Sequence, residues 1–144
     1  MELSVIIPIY NEKAHIQEIV RRVKATGLAS ELVLVDDGSV DGTRDILPSL
    51  DAQDGVHVIL HEKNQGKGGA VRTGIRAAKG EVMLIQDADL EYDPRDYPAL
   101  LKPIEEGIAD VVYGSRFLGG PRRATMFWHM VANYLLTFMT NLLY

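Results

Sequence analysis

A chain of 144 residues has the length of one ordinary domain, and with 47% hydrophobic and 24% charged residues it can bury a core of its own. Fifteen Lys and Arg against twenty Asp and Glu give a net charge near -5, so no overall basic field exists to hold DNA or RNA, and we expect no nucleic-acid partner. The sequence contains no cysteine, which excludes disulfides, thiolate nucleophiles and Cys-based zinc sites.

Five short apolar, β-branched runs predict buried parallel strands. The spacing between their centres leaves room each time for one helix and two loops, which is typical of repeated βα units. The runs are Leu3 to Ile7, Leu32 to Val35, Val56 to Leu60, Val82 to Ile85 and Val111 to Tyr113.

Two of the intervening segments have a helical spacing of apolar residues. Segment 12–25 aligns Ile16, Ile19, Val20 and Val23, and segment 70–78 aligns Val71, Ile75 and Ala78. Left-handed cap residues are expected after the helices, at Gly27, Gly55, Gly80 and Gly107. The predicted fold is an open, mainly parallel α/β sheet with helices on both faces.

The C-terminal segment 124–144 contains no charged residue unless His129 is protonated. Its polar residues recur every fourth position and would form one stripe on a helix, which favours an amphipathic helix at a protein or membrane surface over a spanning helix. We therefore divide the chain into a domain at 1–120 and an apolar amphipathic helix at 121–144. The chain stops inside this apolar segment, so we expect a piece of a longer protein.

The N-terminal segment 1–8 has an acidic second residue and an apolar run too short for a signal peptide. We therefore expect a cytoplasmic protein.

Polar segments follow each predicted strand, at the edge where parallel α/β sheets bind ligands. They are residues 8–12, 36–39, 64–69, 87–91 and 114–116. Among them, Asp87, Asp89 and Glu91 offer hard oxygen ligands that suit Mg²⁺ or Mn²⁺ together with a substrate's phosphates. The alternative is an Asp-rich turn that caps the next helix.

The other polar segments each leave two interpretations open. Asp36 and Asp37 are either ordinary turn residues or acceptors for a base or ribose. Segment 64–70, with Lys67, predicts close backbone approach to a nucleotide or sugar, although a flexible turn is equally compatible; it matches neither a Walker loop nor a dinucleotide fingerprint. Arg116 offers a planar fork for phosphate, and Arg122 and Arg123 suit phosphate or anionic lipid.

The remaining histidines show no partner at metal-ligand spacing. His15, His57 and His61 are interpreted as surface or strand residues.

Five segments taken together resemble the family 2 glycosyltransferases of the GT-A fold, most closely the polyprenyl-phosphate branch typified by dolichol-phosphate mannosyltransferase. Each segment alone is a modest signal, but their order along the chain is specific. They are residues 5–12, 35–43, 64–70, 87–91 and 114–117.

The resemblance implies a role for each matching residue, and a nucleotide-sugar-binding catalytic domain at 1–120. Base and ribose are held at Pro8, Tyr10, Glu12, Val35 and Asp37, and the sugar and diphosphate at Asp87, Ala88 and Asp89, with Lys67 in the same donor site. Asp89, helped by Asp87 and Glu91, binds Mg²⁺ or Mn²⁺. Asp89 and Arg116 are the implied catalytic residues, and Arg116, Arg122 and Arg123 would meet the acceptor phosphate.

The implied reaction is inverting transfer of a hexose from GDP-mannose or UDP-glucose to a dolichyl or undecaprenyl phosphate, at the cytoplasmic face of the membrane. A transferase for a hydroxyl acceptor and a non-catalytic nucleotide-sugar-binding domain are the alternatives. A signalling receiver module is disfavoured because the segment after the third strand, residues 61–64, lacks the required Asp. A nucleotidyltransferase is disfavoured because its glycine-rich loop would usually follow the first strand.

Overall fold

The computed structural model describes residues 1–114 and Met139, and strands alternate with helices along it. The strands are β1 (Leu3–Ile9), β2 (Glu31–Asp36), β3 (Val56–Leu60) and β4 (Val82–Ile85). The helices are α1 (Ile16–Ala25), α2 (Thr43–Asp51), α3 (Lys67–Ala77) and α4 (Tyr97–Glu105), the last entered through a 3₁₀ turn at Pro94–Asp96.

The four strands form one parallel sheet in the order β3-β2-β1-β4. The chain runs outward from β1 through β2 to β3, and then returns to place β4 on the other side of β1. A switch point therefore lies between the carboxyl ends of β1 and β4, where an open α/β sheet forms its ligand crevice.

Alternate residues of β1 enter two separate cores, one on each face of the sheet. Val5 and Ile7 belong to a large cluster that includes α1, α2 and α4, whereas Ile6 packs with Ala70 of α3 on the opposite face. Helices on both faces are thus confirmed. The predicted inner face of α1 is confirmed as well, because its four aligned apolar residues are all buried: Ile16, Ile19, Val20 and Val23.

The predicted inner face of α3 is wrong at Val71 and Ile75, whereas Ala78 does pack against the core. Ile75 is 44% exposed and Val71 only half-buried, while Ala70 and Gly74 are the buried residues. A Cβ on Gly74 would lie 2.3 Å from Cγ2 of Ile6, so only a helix face of very small residues can approach β1 this closely.

Left-handed backbone is confirmed at three of the four predicted glycines, Gly27, Gly55 and Gly107. Gly80 is the exception, since its φ is not positive. Its role is close packing instead: a Cβ there would lie 2.7 Å from the carbonyl oxygen of Glu2 and 2.8 Å from the amide nitrogen of Ser4.

The predicted fifth strand is not formed. Residues 111–114 are irregular, and Val111 and Tyr113 are 65% and 90% exposed. A strand requires a paired neighbour as well as β-branched residues, and no described residue pairs with this segment.

The domain boundary at 120 and the helix at 121–144 lie outside the described residues, apart from Met139, which is helical. Within residues 1–114 no helix has the length and apolar character needed to cross a bilayer.

Candidate active site

A cleft of about 430 Å³ lies at the carboxyl edge of the sheet, at the switch point. Most residues that the sequence assigned to the donor line it: Pro8, Tyr10, Glu12, Asp37, Lys67, Asp87, Ala88 and Asp89. Val35 does not, because its side chain is fully buried in the core beneath α3. Ile9, Asn64, Gly66 and Ala70 complete the wall.

The two adjacent carboxylates after β2 have different surroundings. Asp36 is fully buried, and it accepts hydrogen bonds from Nε of Arg44 and the amide of Ser39. Asp37 is also buried, with only 2% of its surface exposed, but it borders the cleft, which Asp36 does not. Burial acts to raise the pKa of Asp37, but hydrogen bonds from the Gln65 amide, His61 and the Gly66 amide outweigh it and hold that pKa below its ordinary value. Asp37 is therefore the carboxylate available to a ligand, and it is anionic near neutral pH.

His61 was interpreted from the sequence as a surface or strand residue, and this interpretation is wrong, because His61 is buried and lies directly after the end of β3. Its ring is buried, with Nδ1 2.7 Å from Oδ1 of Asp37 and Nε2 2.9 Å from Oγ1 of Thr73. The available signal was its place directly after β3, at the edge where the other polar segments gather.

The glycine-rich segment forms the start of α3 and one side of the cleft. Gly66 has φ +80°, a backbone conformation that favours glycine, and both Gly66 and Lys67 line the cleft. The amide of Gln65 donates to Oδ1 of Asp37 at 2.8 Å. The turn is thus anchored to the carboxylate beside it, and at Gly66, which has no side chain, the backbone itself borders the cleft.

Lys67 and Asp87 form an ion pair across the cleft, so the glycine segment and the acidic segment after β4 approach one another. The next acidic residues do not converge on a common point. Oδ1 of Asp89 accepts a hydrogen bond from the amide of Glu91 at 3.0 Å, and Glu91 lies outside the cleft wall. Within residues 1–114 no three carboxylate or imidazole groups are arranged to hold one metal ion. Asp87 and Asp89 on the wall therefore suit a metal that a ligand's phosphates help to hold.

The acidic segment is supported from beneath by Gln86, which the sequence analysis missed. Its side chain is buried, and Nε2 donates to the carbonyl oxygens of Asp87 and Tyr92 at 3.0 and 3.2 Å. Its Oε1 in turn accepts from the buried phenol of Tyr97 at 2.8 Å. A polar residue at the end of an apolar strand, immediately before two acids, was the available signal.

The segment after β1 is held against the segment after β2. The amide of Asn11 donates to Oγ of Ser39, and the Asn11 side chain accepts from the amide of Val40, both at 2.9 Å. Asn11 has φ +56°, which turns the chain sharply between Tyr10 and Glu12. Both of these neighbours consequently reach the cleft.

The predicted acceptor-phosphate residues Arg116, Arg122 and Arg123 lie outside the described residues. Their positions relative to the cleft remain sequence-based predictions.

Two solved structures share this fold. A mannosyltransferase from Pyrobaculum calidifontis, in complex with GDP-mannose and Mn²⁺, gives a TM-score of 0.60 at 30% identity over 68% of this chain and 30% of that chain. Glucosyl-3-phosphoglycerate synthase from Mycobacterium tuberculosis, in complex with Mn²⁺, UDP and phosphoglyceric acid, gives a TM-score of 0.59 at 27% identity. The match covers 72% of this chain and 38% of that chain.

Sequence comparison agrees with the fold. The chain is 38% identical over 122 residues to the dolichol-phosphate mannosyltransferase of Pyrococcus furiosus, covering 83% of this chain and 34% of that protein. It thus spans about a third of the length of the curated relatives it matches. Residues 4–143 match the profile of Glycosyl transferase family 2. With its parallel sheet and cleft, this chain belongs to glycosyl transferase family 2.

Proposed function

We propose that this chain carries the donor site of an inverting, metal-dependent hexosyltransferase that uses GDP-mannose or UDP-glucose and a polyprenyl phosphate. The observation that carries the proposal is that one cleft is lined by Asp37, which follows β2, and by Asp87 and Asp89, which follow β4 on the other side of β1. A nucleotide sugar has hydrogen-bonding groups at its base and ribose and anionic groups at its diphosphate. The two parts of the cleft suit these two ends.

Base and ribose occupy the end beside β1 and β2. Asp37, kept anionic, accepts hydrogen bonds from ribose hydroxyls or base N–H groups. Tyr10 is half-exposed on the same wall, where its ring can stack on a base. Glu12 and Pro8 border this end, and Val35 contributes only buried support.

Asp87 and Asp89 would hold Mg²⁺ or Mn²⁺ through carboxylate oxygens, with Glu91 as a further acidic neighbour. Such a metal, when bound, neutralises charge that develops on the departing nucleoside diphosphate. Lys67 pairs with Asp87 across the cleft and would supply a second positive charge for the diphosphate. In the P. calidifontis and M. tuberculosis proteins, a nucleotide and Mn²⁺ were observed together.

The acceptor is proposed to be a dolichyl or undecaprenyl phosphate. A phosphate oxygen is already anionic near neutral pH, so it can attack the anomeric carbon without a strong general base. The new carbon–oxygen bond forms opposite the breaking bond to the diphosphate, which inverts the centre. Arg116, with Arg122 or Arg123, would orient this phosphate, and segment 121–144 would place the reaction at the cytoplasmic face of the membrane.

A hydroxyl acceptor is the second candidate, because the M. tuberculosis neighbour was crystallised with phosphoglyceric acid rather than a lipid. Mn²⁺-dependent transfer of labelled sugar to polyprenyl phosphate, compared with transfer to phosphoglyceric acid, separates the two.

The donor site itself is tested by calorimetric titration of the purified chain with GDP-mannose and UDP-glucose, with and without Mn²⁺. We expect Mn²⁺-dependent binding of one donor, and its loss in Asp89→Ala. Asp54→Ala is the matched control, since Asp54 precedes β3 at the opposite edge of the sheet and is exposed. Absence of binding by the folded, unaltered chain would contradict the proposal, as would binding that Asp89→Ala leaves unchanged.

A further inference from the structure

His61 connects the proposed nucleoside end of the cleft to helix α3. The ring contacts Asp37 through Nδ1 and Thr73 through Nε2, at 2.7 and 2.9 Å, and its side chain is only 6% exposed. It is not among the residues that line the cleft, whereas its partner Asp37 is.

The hydrogen bond between the ring and Asp37 has a defined direction. The pKa of Asp37 is held low, so its carboxylate only accepts hydrogen bonds, and Nδ1 of His61 must carry the proton between them. Nε2 makes the second contact of the ring, with the hydroxyl of Thr73.

The main chain of His61 is held by bonds that do not involve the ring. Its amide donates to the carbonyl oxygen of Asp36 at 2.9 Å, and Nη2 of Arg44 donates to its carbonyl oxygen. The end of β3 is consequently fixed without the imidazole. What the ring adds is a fixed orientation of the Asp37 carboxylate.

Asp37 contacts both the His61 ring and the glycine-rich segment 64–69. Its Oδ1 accepts from Nδ1 of His61 and from the amide of Gln65, at 2.7 and 2.8 Å. Two donors at one oxygen fix the carboxylate plane and keep it from rotating away from the cleft. The Gln65 bond ties the carboxylate to the segment just before α3, and the His61 ring, through its contact with Thr73, ties it to the middle of that helix.

We propose that His61 is a positioning residue for the nucleoside end of the donor: its Nδ1–H orients Asp37 toward base and ribose, and Thr73 holds the ring in place. This inference rests on the proposed function. It concerns a residue that acts through Asp37 rather than on the donor itself.

The test compares the affinities of GDP and UDP, each with Mn²⁺, for the purified chain and four variants. His61→Asn retains an N–H donor near the position of Nδ1, whereas His61→Gln reaches toward Thr73 and places no donor beside Asp37. His61→Ala removes both contacts. His57→Ala is the control, because His57 lies on β3, the strand that His61 follows, with a side chain 54% exposed.

We expect His61→Ala and His61→Gln to weaken binding of the nucleotide that the unaltered chain binds by about tenfold, the range for losing a hydrogen bond to a charged group. His61→Asn should stay within about threefold of the unaltered chain, and His57→Ala should match it. Thermal melting establishes that each variant is folded. If His61→Ala does not fold, the Asn and Gln variants decide the question.

Two results overturn the inference alone: unchanged affinity in both His61→Ala and His61→Gln, or equal weakening in His61→Asn and His61→Gln. Absence of binding of GDP and UDP by the unaltered chain overturns the proposed function and this inference with it.

Discussion

Nζ of Lys67 lies 2.7 Å from Oδ1 and 2.8 Å from Oδ2 of Asp87, so the lysine at the start of α3 contacts both oxygens of a proposed metal-binding carboxylate. If Asp87 holds the metal as proposed, Lys67 and the metal ion would compete for the same oxygens until a diphosphate is present. The two side chains are 64% and 21% exposed, so the pair itself contributes little to stability.

Lys67→Met is expected to have opposite effects on two ligands. Mn²⁺ alone should bind about two- to fivefold more tightly, since loss of an exposed pair is worth up to about 1 kcal/mol. The nucleoside diphosphate with Mn²⁺ should bind more weakly, because a positive charge facing the diphosphate is lost. Calorimetry with each ligand measures both, with Lys79→Met as the control at the opposite edge of the sheet. Equal weakening of both ligands would contradict the competition.

The Tyr97–Gln86 pair supports the acidic segment, and we expect Tyr97→Phe to destabilise the protein. Burial raises the pKa of the Tyr97 phenol, so it stays protonated and donates to Oε1 of Gln86. Removing the hydroxyl leaves a buried acceptor without this donor, at a cost of about 1–3 kcal/mol in the free energy of unfolding. Urea unfolding measures the change. Tyr113→Phe, at a position 90% exposed, should be neutral.

Gly74 limits how closely α3 can approach β1, and Gly74→Ala should destabilise the protein by about 1–3 kcal/mol through overpacking. The added Cβ would meet Cγ2 of Ile6 at 2.3 Å. Gly68→Ala is the matched control on the same helix, since nothing lies within 4 Å of its added Cβ. There we expect stability to be unchanged or higher by up to about 1 kcal/mol, from helix propensity. Equal effects at both glycines would refute the packing argument.

Glu31 is predicted to make stability depend on pH at the acid end. Burial acts to raise its pKa, but hydrogen bonds from the Ser4 hydroxyl and from the amides of Lys79 and Gly80 outweigh burial, so the pKa lies below the ordinary 4.5. In the unfolded chain Glu31 then binds a proton more readily than in the folded protein. Its contribution to the free energy of unfolding is fully present above pH 4.5 and is lost as the pH falls through the lowered pKa.

Glu31→Gln should therefore flatten the decline of the free energy of unfolding below about pH 5. Urea titrations at several pH values measure this slope. Glu105→Gln, on the exposed end of α4, is the control and should leave the slope unchanged.

Much of the candidate site could be predicted because it depends on position along the chain. Each parallel strand ends at the same edge, so the residues after β1, β2 and β4 must gather there whatever the details of packing. Tyr10, Glu12, Asp37 and Asp87 were found in this way. Their roles, and that of Pro8 near the end of β1, came from the family resemblance, which adds what spacing alone does not supply.

The incorrect predictions concern packing and pairing. Val111 to Tyr113 has the composition of a strand, but a strand exists only where a neighbour pairs with it. Val71 and Ile75 are the larger apolar residues of α3, yet Ile6 leaves room only for Ala70 and Gly74 against the sheet. Local composition does not show whether a neighbouring strand is present to pair with, nor how closely a helix approaches the sheet.

By itself, the sequence determined the parallel α/β fold, the family and the edge of the sheet where the site lies, because strand periodicity and the order of segments are properties of the chain alone. The tertiary structure decided which of the two carboxylates after β2 faces the cleft, and that His61 and Gln86 support Asp37 and the acidic segment. The contact between Asp37 and His61 joins residues that are 24 positions apart in the sequence. Such contacts depend on distances of about 3 Å, which only the packed sheet and helices establish.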